Sequence, residues 1–434
     1  MALPMLTGYR VLDITQIVAG PTCSRLLAEM GADVVKLELG PHGDRTRVGG
    51  LRPTSPDYKG ATQSTYFFQH NHSKRSLALD FKDPRGLDLV RRMVPKFDVV
   101  VENFSPGVMA RAGLAYEDLK NLHPGLVMCS ISLAGQSGPL SQKPGYDYIA
   151  QAYSGVTDLI GDPDGEPALV TMAIGDMTTG WAAAMAIGFA LLHRERTGEG
   201  QYVETSLLDS YMNMHEVAMP RVSLRKNYTP RRTGSQHPDG GPTGIFRCAD
   251  GSFITLATLP HQWKAFAEAL EMPELLADPR FATAALRRDN NAALKVILEG
   301  WLGRFPTREA AMARLDTKRI PVAPVLTLNE AMAHPHMRDR GTVRRVHDRT
   351  LGDFDIPGMP VRFSAWTPPA EVHADLLGEH NESVLEELLG LSADDIATLY
   401  AQGVLVRDPR IDGPAGSPDG PVRGEAGAPA TATA

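Results

Sequence analysis

"YRVLDITQIVAGPTCSRLLAEMGADVVKLEL", residues 9–39, is the stretch whose reading decides the fold. Its opening "YRVLDIT" is a short apolar and β-branched run, the pattern of a strand buried on both faces. A turn with Gly20 and Pro21 follows, then "CSRLLAEMG" with apolar residues at helical spacing, then "ADVVKLEL", a second buried run. Strand, turn, helix and strand in this order predict a parallel pair joined by a crossover helix. The pattern recurs in helix "PRGLDLVRRMVPKF", strand "DVVVENF", helix "YEDLKNLHP" and strand "LVMCSISL". The fold class is therefore α/β, and ligands of such sheets bind at the carboxyl ends of the strands.

Beyond residue 200, "GQYVETSLLDSYMNMH" reads as a strand entering a helix, and from about residue 225 the texture changes. "RKNYTPRRTGSQHPDGGPTG" is rich in Gly, Pro and basic groups; "IFRCADGSFITLAT" reads as a hairpin around Asp250 and Gly251. Helical segments follow, among them "HQWKAFAEAL" and "REAAMARL", before strand-like "DIPGMPVRFS" and the closing helices "NESVLEELLG" and "ADDIATLYAQG". The expected organisation is a large α/β domain over 1–225, a small α+β domain over 226–335, a return to the large domain over 336–406, and a tail over 407–434. Pro, Gly and Ala dominate that tail, so it is expected to be disordered.

With 434 residues, 43% of them hydrophobic, the chain can build a full core. A formal net charge of -7 argues against non-specific nucleic-acid binding. Three widely spaced cysteines exclude a disulfide framework and a structural zinc site. The opening "MALPMLTGYR" has neither the basic nor the apolar region of a signal peptide, and the run from Met177 to Leu192 carries Thr, Gly and Ala. That run reads as a buried helix, not a membrane span, so a soluble, cytoplasmic protein is expected.

One carboxylate stands out. In "TMAIGDMTTGWAAAMAIGFALLH", residues 171–193, Asp176 follows a glycine and precedes the long uncharged run. It reads as a helix N-cap, where amide groups and the helix dipole would favour its anion by about 0.3–1 kcal/mol. An oriented carboxylate beside apolar walls is also a usable nucleophile. Lys74, Arg75, Lys82 and Arg111 sit near strand ends, either as solvated surface groups or as partners of an anionic ligand. The first turn, "QIVAGPT", lacks the G-x-G-x-x-G of a dinucleotide site, which makes an NAD-dependent oxidoreductase the weaker alternative. "HNH" at 70–72 and "HPH" at 334–336 have no carboxylate at a ligand spacing, so no metal is expected. A serine-hydrolase elbow is missing.

Read in order, "VLDITQIVAGPTCSRLLAEMGADVVKLE", "NHSKRSLALDFK", "VVVENFSPGVMARAGL", "GQSGPLSQKPGYDY", "GDMTTG", "RTGEGQYVETSLLD" and "LLGEHN" resemble the class III CoA-transferases, which include formyl-CoA transferase and the carnitine CoA-transferases. The resemblance spans about residues 6–405. It implies a Rossmann-like large domain made from both ends of the chain, and two ring-shaped subunits interlocked as a homodimer. It implies transfer of CoA from an acyl-CoA to a carboxylic acid through aspartyl anhydride and aspartyl-CoA thioester intermediates. Acyl-CoA and the acid are then substrates, with no permanently bound cofactor. The catalytic aspartate falls on Asp176, and the CoA contacts fall on Val18, Ala19, Leu79, Lys82, Asn103, Phe104, Arg111 and Tyr146, with the acidic Asp147 beside that tyrosine.

Three positions depart from the formyl-CoA transferases. Val18 replaces a glutamine, Leu39 replaces an arginine, and "GSQHPDGG" stands where those enzymes carry four glycines. The related α-methylacyl-CoA racemases have a histidine where this chain has Tyr146, a poor general base because its ordinary pKa is near ~10. Racemase is thus the alternative to transferase, and a CoA-binding protein without turnover is the non-enzymatic one. The resemblance implies a dicarboxylate such as succinate as the acid. Val18 adds an apolar wall, and Arg225, Lys226, Arg231, Arg232 and His237 are partners for a distal carboxylate, or else surface groups or partners of CoA phosphates.

Overall fold

A computed structural model describes residues 3–48 and 63–411. The expected disordered tail lies outside the described residues from residue 412 onward. Its first residues are held in place, however: Asp408 N–H donates to the Leu377 carbonyl (2.8 Å), and Arg407 pairs with Glu382 (2.8 Å).

The chain forms two compact units. The first draws on Met1–Ser154, Met172–Met214 and Arg340–Ala434. Its centre is a six-stranded parallel sheet of β1 (Arg10–Ile14), β2 (Asp33–Leu39), β3 (Arg75–Leu79), β4 (Val99–Glu102), β5 (Val127–Ser132) and β6 (Gln201–Ser206). The strand order is β3-β2-β1-β4-β5-β6, so the direction of winding reverses between β1 and β4. Register pairs Val11 with Val34 and Val99, and Leu12 with Val35 and Val100. Five of the six strands lie in runs read as strands from sequence; β3 is not among them, and of the strand-like run 355–364 only its start, to Pro357, is a strand.

Alternation along each strand assigns the two faces. Leu12, Ile14, Leu37, Leu77 and Val100 point into an apolar core closed by Leu89, Val90, Met93, Leu385, Leu388 and Ile396 from helices on that side. The opposite face carries Asp13 and Lys36 under the helix Ala19–Glu29, which packs on the long helix Ile174–Thr197. Those two helices touch so closely that a Cβ at Gly180 would lie 2.6 Å from the Ala19 carbonyl oxygen. The long helix is only half buried: Trp181, Met185, Phe189 and Leu192, along one side, are exposed in this single chain. The helix expected to be buried is so along the side that carries Thr179, Gly180, Ala183, Ala184, Ile187, Ala190 and Leu191, and open along the other in the single chain. Among the described residues, no helix is long and apolar enough to cross a membrane.

The second unit comprises Gly155–Thr171 and His215–Asp339. A three-stranded antiparallel sheet, β7 (Thr243–Arg247), β8 (Phe253–Ala257) and β9 (Val322–Pro324), is packed by Trp263, Phe266, Phe281 and Trp301. The hairpin expected at Asp250–Gly251 forms there: Gly251 takes φ 83° and the Asp250 carboxylate accepts the Ser252 N–H at 2.9 Å.

Candidate active site

Asp176 is the third residue of the long helix, not its cap. The helix begins one turn earlier than the sequence suggested; Ala173 occupies the capping position and brings no side-chain hydrogen bond. The exposed first-turn donor is satisfied from elsewhere in the chain. Asp147, at the start of the helix Asp147–Tyr153, accepts the Asp176 N–H at 2.9 Å on one carboxylate oxygen. Its other oxygen accepts the Tyr211 hydroxyl at 2.7 Å. This arrangement needs glycine at 175, where a Cβ would fall 2.3 Å from the Tyr211 ring and 2.9 Å from the Asp147 carboxylate.

These contacts reverse the expected charge preference of Asp176. Burial comes first and the neighbouring Asp147 second, and together they push its carboxyl up to about 7. A helix dipole contributes only about 0.3–1 kcal/mol in the other direction. Asp176 is therefore a carboxyl that titrates near neutrality. The Tyr66 phenol shares this surrounding: burial, then the charge of Asp176, push it up to about 12, so it stays a neutral hydrogen-bond donor. Thr22, on the first helix, reaches the sulfur of Met177 at 3.5 Å and the Nδ1 atom of His70 at 3.1 Å.

The turn between β1 and the first helix is held by buried polar groups. Lys74 Nζ donates to Asp13 (2.9 Å), the Pro21 carbonyl (3.0 Å) and Asn71 Oδ1 (2.9 Å). Lys36 Nζ donates to the Thr15 carbonyl (2.8 Å) and lies 3.1 Å from Asp44. Burial raises the Asp13 carboxyl, but Lys36, Lys74 and the Ser24 and Thr15 hydroxyls outweigh it and hold Asp13 below the usual carboxylate range. Within the turn, Ile17 adopts φ 73°. A β-branched residue in the left-handed region is strained, at a cost of about 1–3 kcal/mol.

The model of CoA-transferase family III matches residues 6–381. The chain belongs to CoA-transferase family III. This transferase is 35% identical over 407 residues to a succinyl-CoA–D-citramalate CoA-transferase of Chloroflexus aurantiacus, covering 92% of this chain and 98% of the relative. It is 34% identical over 403 residues to a succinyl-CoA:glutarate CoA-transferase of Mus musculus, covering 92% and 90%. A solved CAIB/BAIF family protein from Brucella suis superposes with a TM-score of 0.77 at 34% identity, covering 89% of this chain and all of that one.

Some of the residues expected to serve the transferase are gathered at one end of the sheet. Val18 and Ala19 start the first helix, both buried. Asn103 bonds to the main chain of Gln16 in the same turn. Phe104 follows it and meets Phe81 edge-on at 5.9 Å, which links it to the segment carrying Lys82. Tyr146 is 58% exposed and directly precedes Asp147. Lys82 and Arg111 are exposed, Arg111 ending the short helix Val108–Arg111. Leu79 differs: its side chain is fully buried in the apolar core, and its carbonyl accepts the Gly40 N–H. Lys74 and Arg75 are engaged within the chain. Lys74 serves Asp13, and Arg75 grips Asp33 with two bonds of 2.9 and 2.6 Å.

In the transferase's second unit, Arg232 is also engaged, donating to the Asp158, Asp162 and Gly165 carbonyls and to the Asp158 carboxylate. Arg225, Lys226 and Arg231 remain exposed. The "HNH" histidines are core residues: burial pushes His70 down to about 3 and His72 well below its ordinary value. Among the described residues, no group of three potential ligands could hold a metal ion. Sequence reasoning missed Asp44, Tyr66 and Tyr211. No local signal marks them, since each acts on a segment far away in the chain.

Proposed function

We propose that the protein transfers CoA from a succinyl-CoA-type donor to a second dicarboxylic acid, with Asp176 as the covalent nucleophile. The observation that carries this is the setting of Asp176: a half-enclosed carboxylate at the start of a long helix, held beside Asp147, with its carboxyl raised to about 7. A carboxylate of raised basicity is a better nucleophile than an ordinary aspartate, yet ionises enough at neutral pH to act. The dicarboxylate assignment draws on the relatives, whose names specify citramalate and glutarate, and on apolar Val18 in the first turn. It draws nothing from Arg232, which is occupied.

In this reading, the Asp176 carboxylate attacks the donor's thioester carbonyl. The C–S bond breaks, CoA thiolate leaves with the electron pair, and a mixed anhydride remains. The thiolate attacks the aspartyl carbonyl and expels the donor acid as its carboxylate, leaving an aspartyl-CoA thioester. The acceptor carboxylate attacks this thioester, again releasing thiolate, which takes the acceptor's acyl group and frees Asp176. No net proton is exchanged and no cofactor is required. Tyr66, neutral at working pH, can donate to the developing oxyanion.

We further infer that two copies associate. The exposed residues Trp181, Met185, Phe189 and Leu192 form an apolar stripe that water would otherwise cover. A racemase reading is weaker, because Tyr146 stands where two-base chemistry calls for a histidine.

The decisive experiment incubates the protein with succinyl-CoA and hydroxylamine, then maps the modified residue by mass spectrometry. Hydroxamate at Asp176, with transfer lost in Asp176→Ala, supports the proposal; hydroxamate at Asp147 overturns the assignment.

A further inference from the structure

We propose that Asn103 is a positioning residue: it holds the turn Gln16–Val18 in its left-handed shape instead of reaching CoA through its side chain. The inference rests on the function proposed above. Asn103 Oδ1 accepts the Gln16 N–H at 2.8 Å, and Nδ2 donates to the Gln16 carbonyl at 2.7 Å. One planar amide thus grips both main-chain groups of a single residue. The next residue is Ile17, at φ 73°. Without an external grip, a β-branched residue returns to negative φ, and the chain beyond it swings away.

A second grip comes from the other side. Both carboxylate oxygens of Asp44 lie 3.3 Å from the Ile17 nitrogen. Asp44 is itself fixed by Lys36 at 3.1 Å and by the Thr46 N–H at 2.9 Å. What the two grips set is the start of the first helix, Val18 and Ala19. That backbone lies directly on the helix of Asp176, with no room for a methyl group at Gly180. A shift of the turn is therefore a shift beside the reacting carboxylate. Asn103 follows the last residue of β4 and Gln16 follows β1, so the clamp spans the two strands where the sheet's winding reverses. This is where ligands of such sheets sit.

The test is a double-mutant cycle of Asn103→Ala and Ile17→Gly. It is measured with full acyl-CoA and with an acyl-pantetheine thioester that lacks the nucleotide. Asn103→Ala is expected to lower kcat by about a hundred-fold with both donors, since misplacing a reacting group by an ångström costs that much. Ile17→Gly removes the penalty for φ 73°, so the loss caused by Asn103→Ala is expected to be several-fold smaller in that background. Asn103→Asp keeps the acceptor for the Gln16 N–H but turns an acceptor oxygen onto the Gln16 carbonyl, so its loss is expected to be no smaller than that of Asn103→Ala. Hydrogen exchange across residues 15–22 supplies a readout independent of turnover, and is expected to quicken in Asn103→Ala.

A loss confined to KM for full acyl-CoA would identify a ligand contact and overturn the proposal. So would equal losses in the two backgrounds, or unchanged exchange. Wild type that transfers CoA from no donor, while exchange still quickens in Asn103→Ala, would count against the proposed function and leave the clamp standing.

Discussion

If Asp176 acts as a carboxylate, the rate of transfer must follow its ionisation, and the structure fixes where that lies. An aspartate at its ordinary value of 3.8 is fully ionised from pH 6 to pH 8, whereas one at about 7 is not. About a tenth of the protein carries the nucleophilic form at pH 6 and about nine-tenths at pH 8, so kcat/KM should rise close to ten-fold across this range. The same displacement has a consequence for stability. Carrying the carboxyl from 3.8 to about 7 corresponds to about 4 kcal/mol against the ionised folded state. The folded carboxyl is the weaker acid, so the native chain binds more protons than the unfolded chain between those two values. Stability therefore falls as pH rises through that window and levels off above it. Asp176→Asn should accordingly stabilise the fold at pH 8 and have little effect near pH 4. Asp147→Asn removes the second cause and leaves burial, so the activity midpoint should move below 7 while staying above 3.8. The assays are kcat/KM for the acyl-CoA donor against pH, and denaturant unfolding of wild type and Asp176→Asn at both ends of the range. A flat profile between pH 6 and pH 8, together with a stability difference that does not change with pH, would refute the reasoning.

Three further outcomes follow from the site and the surface. Gly175→Ala places a methyl inside the contact distance of Tyr211 and Asp147; unfolding midpoints should show a loss of about 1–3 kcal/mol, and transfer should fall with it. Incubation with a 2-methylacyl-CoA in deuterated water should give no α-deuterium, and catalytic exchange seen by mass spectrometry would restore the racemase reading. Phe189→Glu puts a charge in the exposed apolar stripe of the long helix; light scattering should show a dimer for wild type and a weakened or lost dimer for the variant.

The sequence by itself determined the alternation of buried strands and crossover helices, and with it the parallel sheet. These depend on local periodicity and on turn residues, which a window of ten to twenty residues contains. It also singled out Asp176, because a carboxylate ahead of a long uncharged run is visible in one dimension. The state of that carboxylate was decided only in three dimensions. Asp147 lies 29 residues from Asp176 and 64 residues from Tyr211, and no local pattern announces that the three meet. The dipole legible from the helix start favoured the anion, while burial and the second carboxylate, legible only after folding, outweighed it. Asn103 shows the same division. Its motif was readable, but its partner is Gln16, 87 residues earlier. Its side chain bonds both main-chain groups of Gln16, next to Ile17 at φ 73°. Leu79 and the "HNH" histidines went the same way, into the interior. The physical reason is common to all of them: residue type and spacing specify which chemistry a side chain can perform, but only the packing of distant segments sets its partners, its solvent access and therefore its charge.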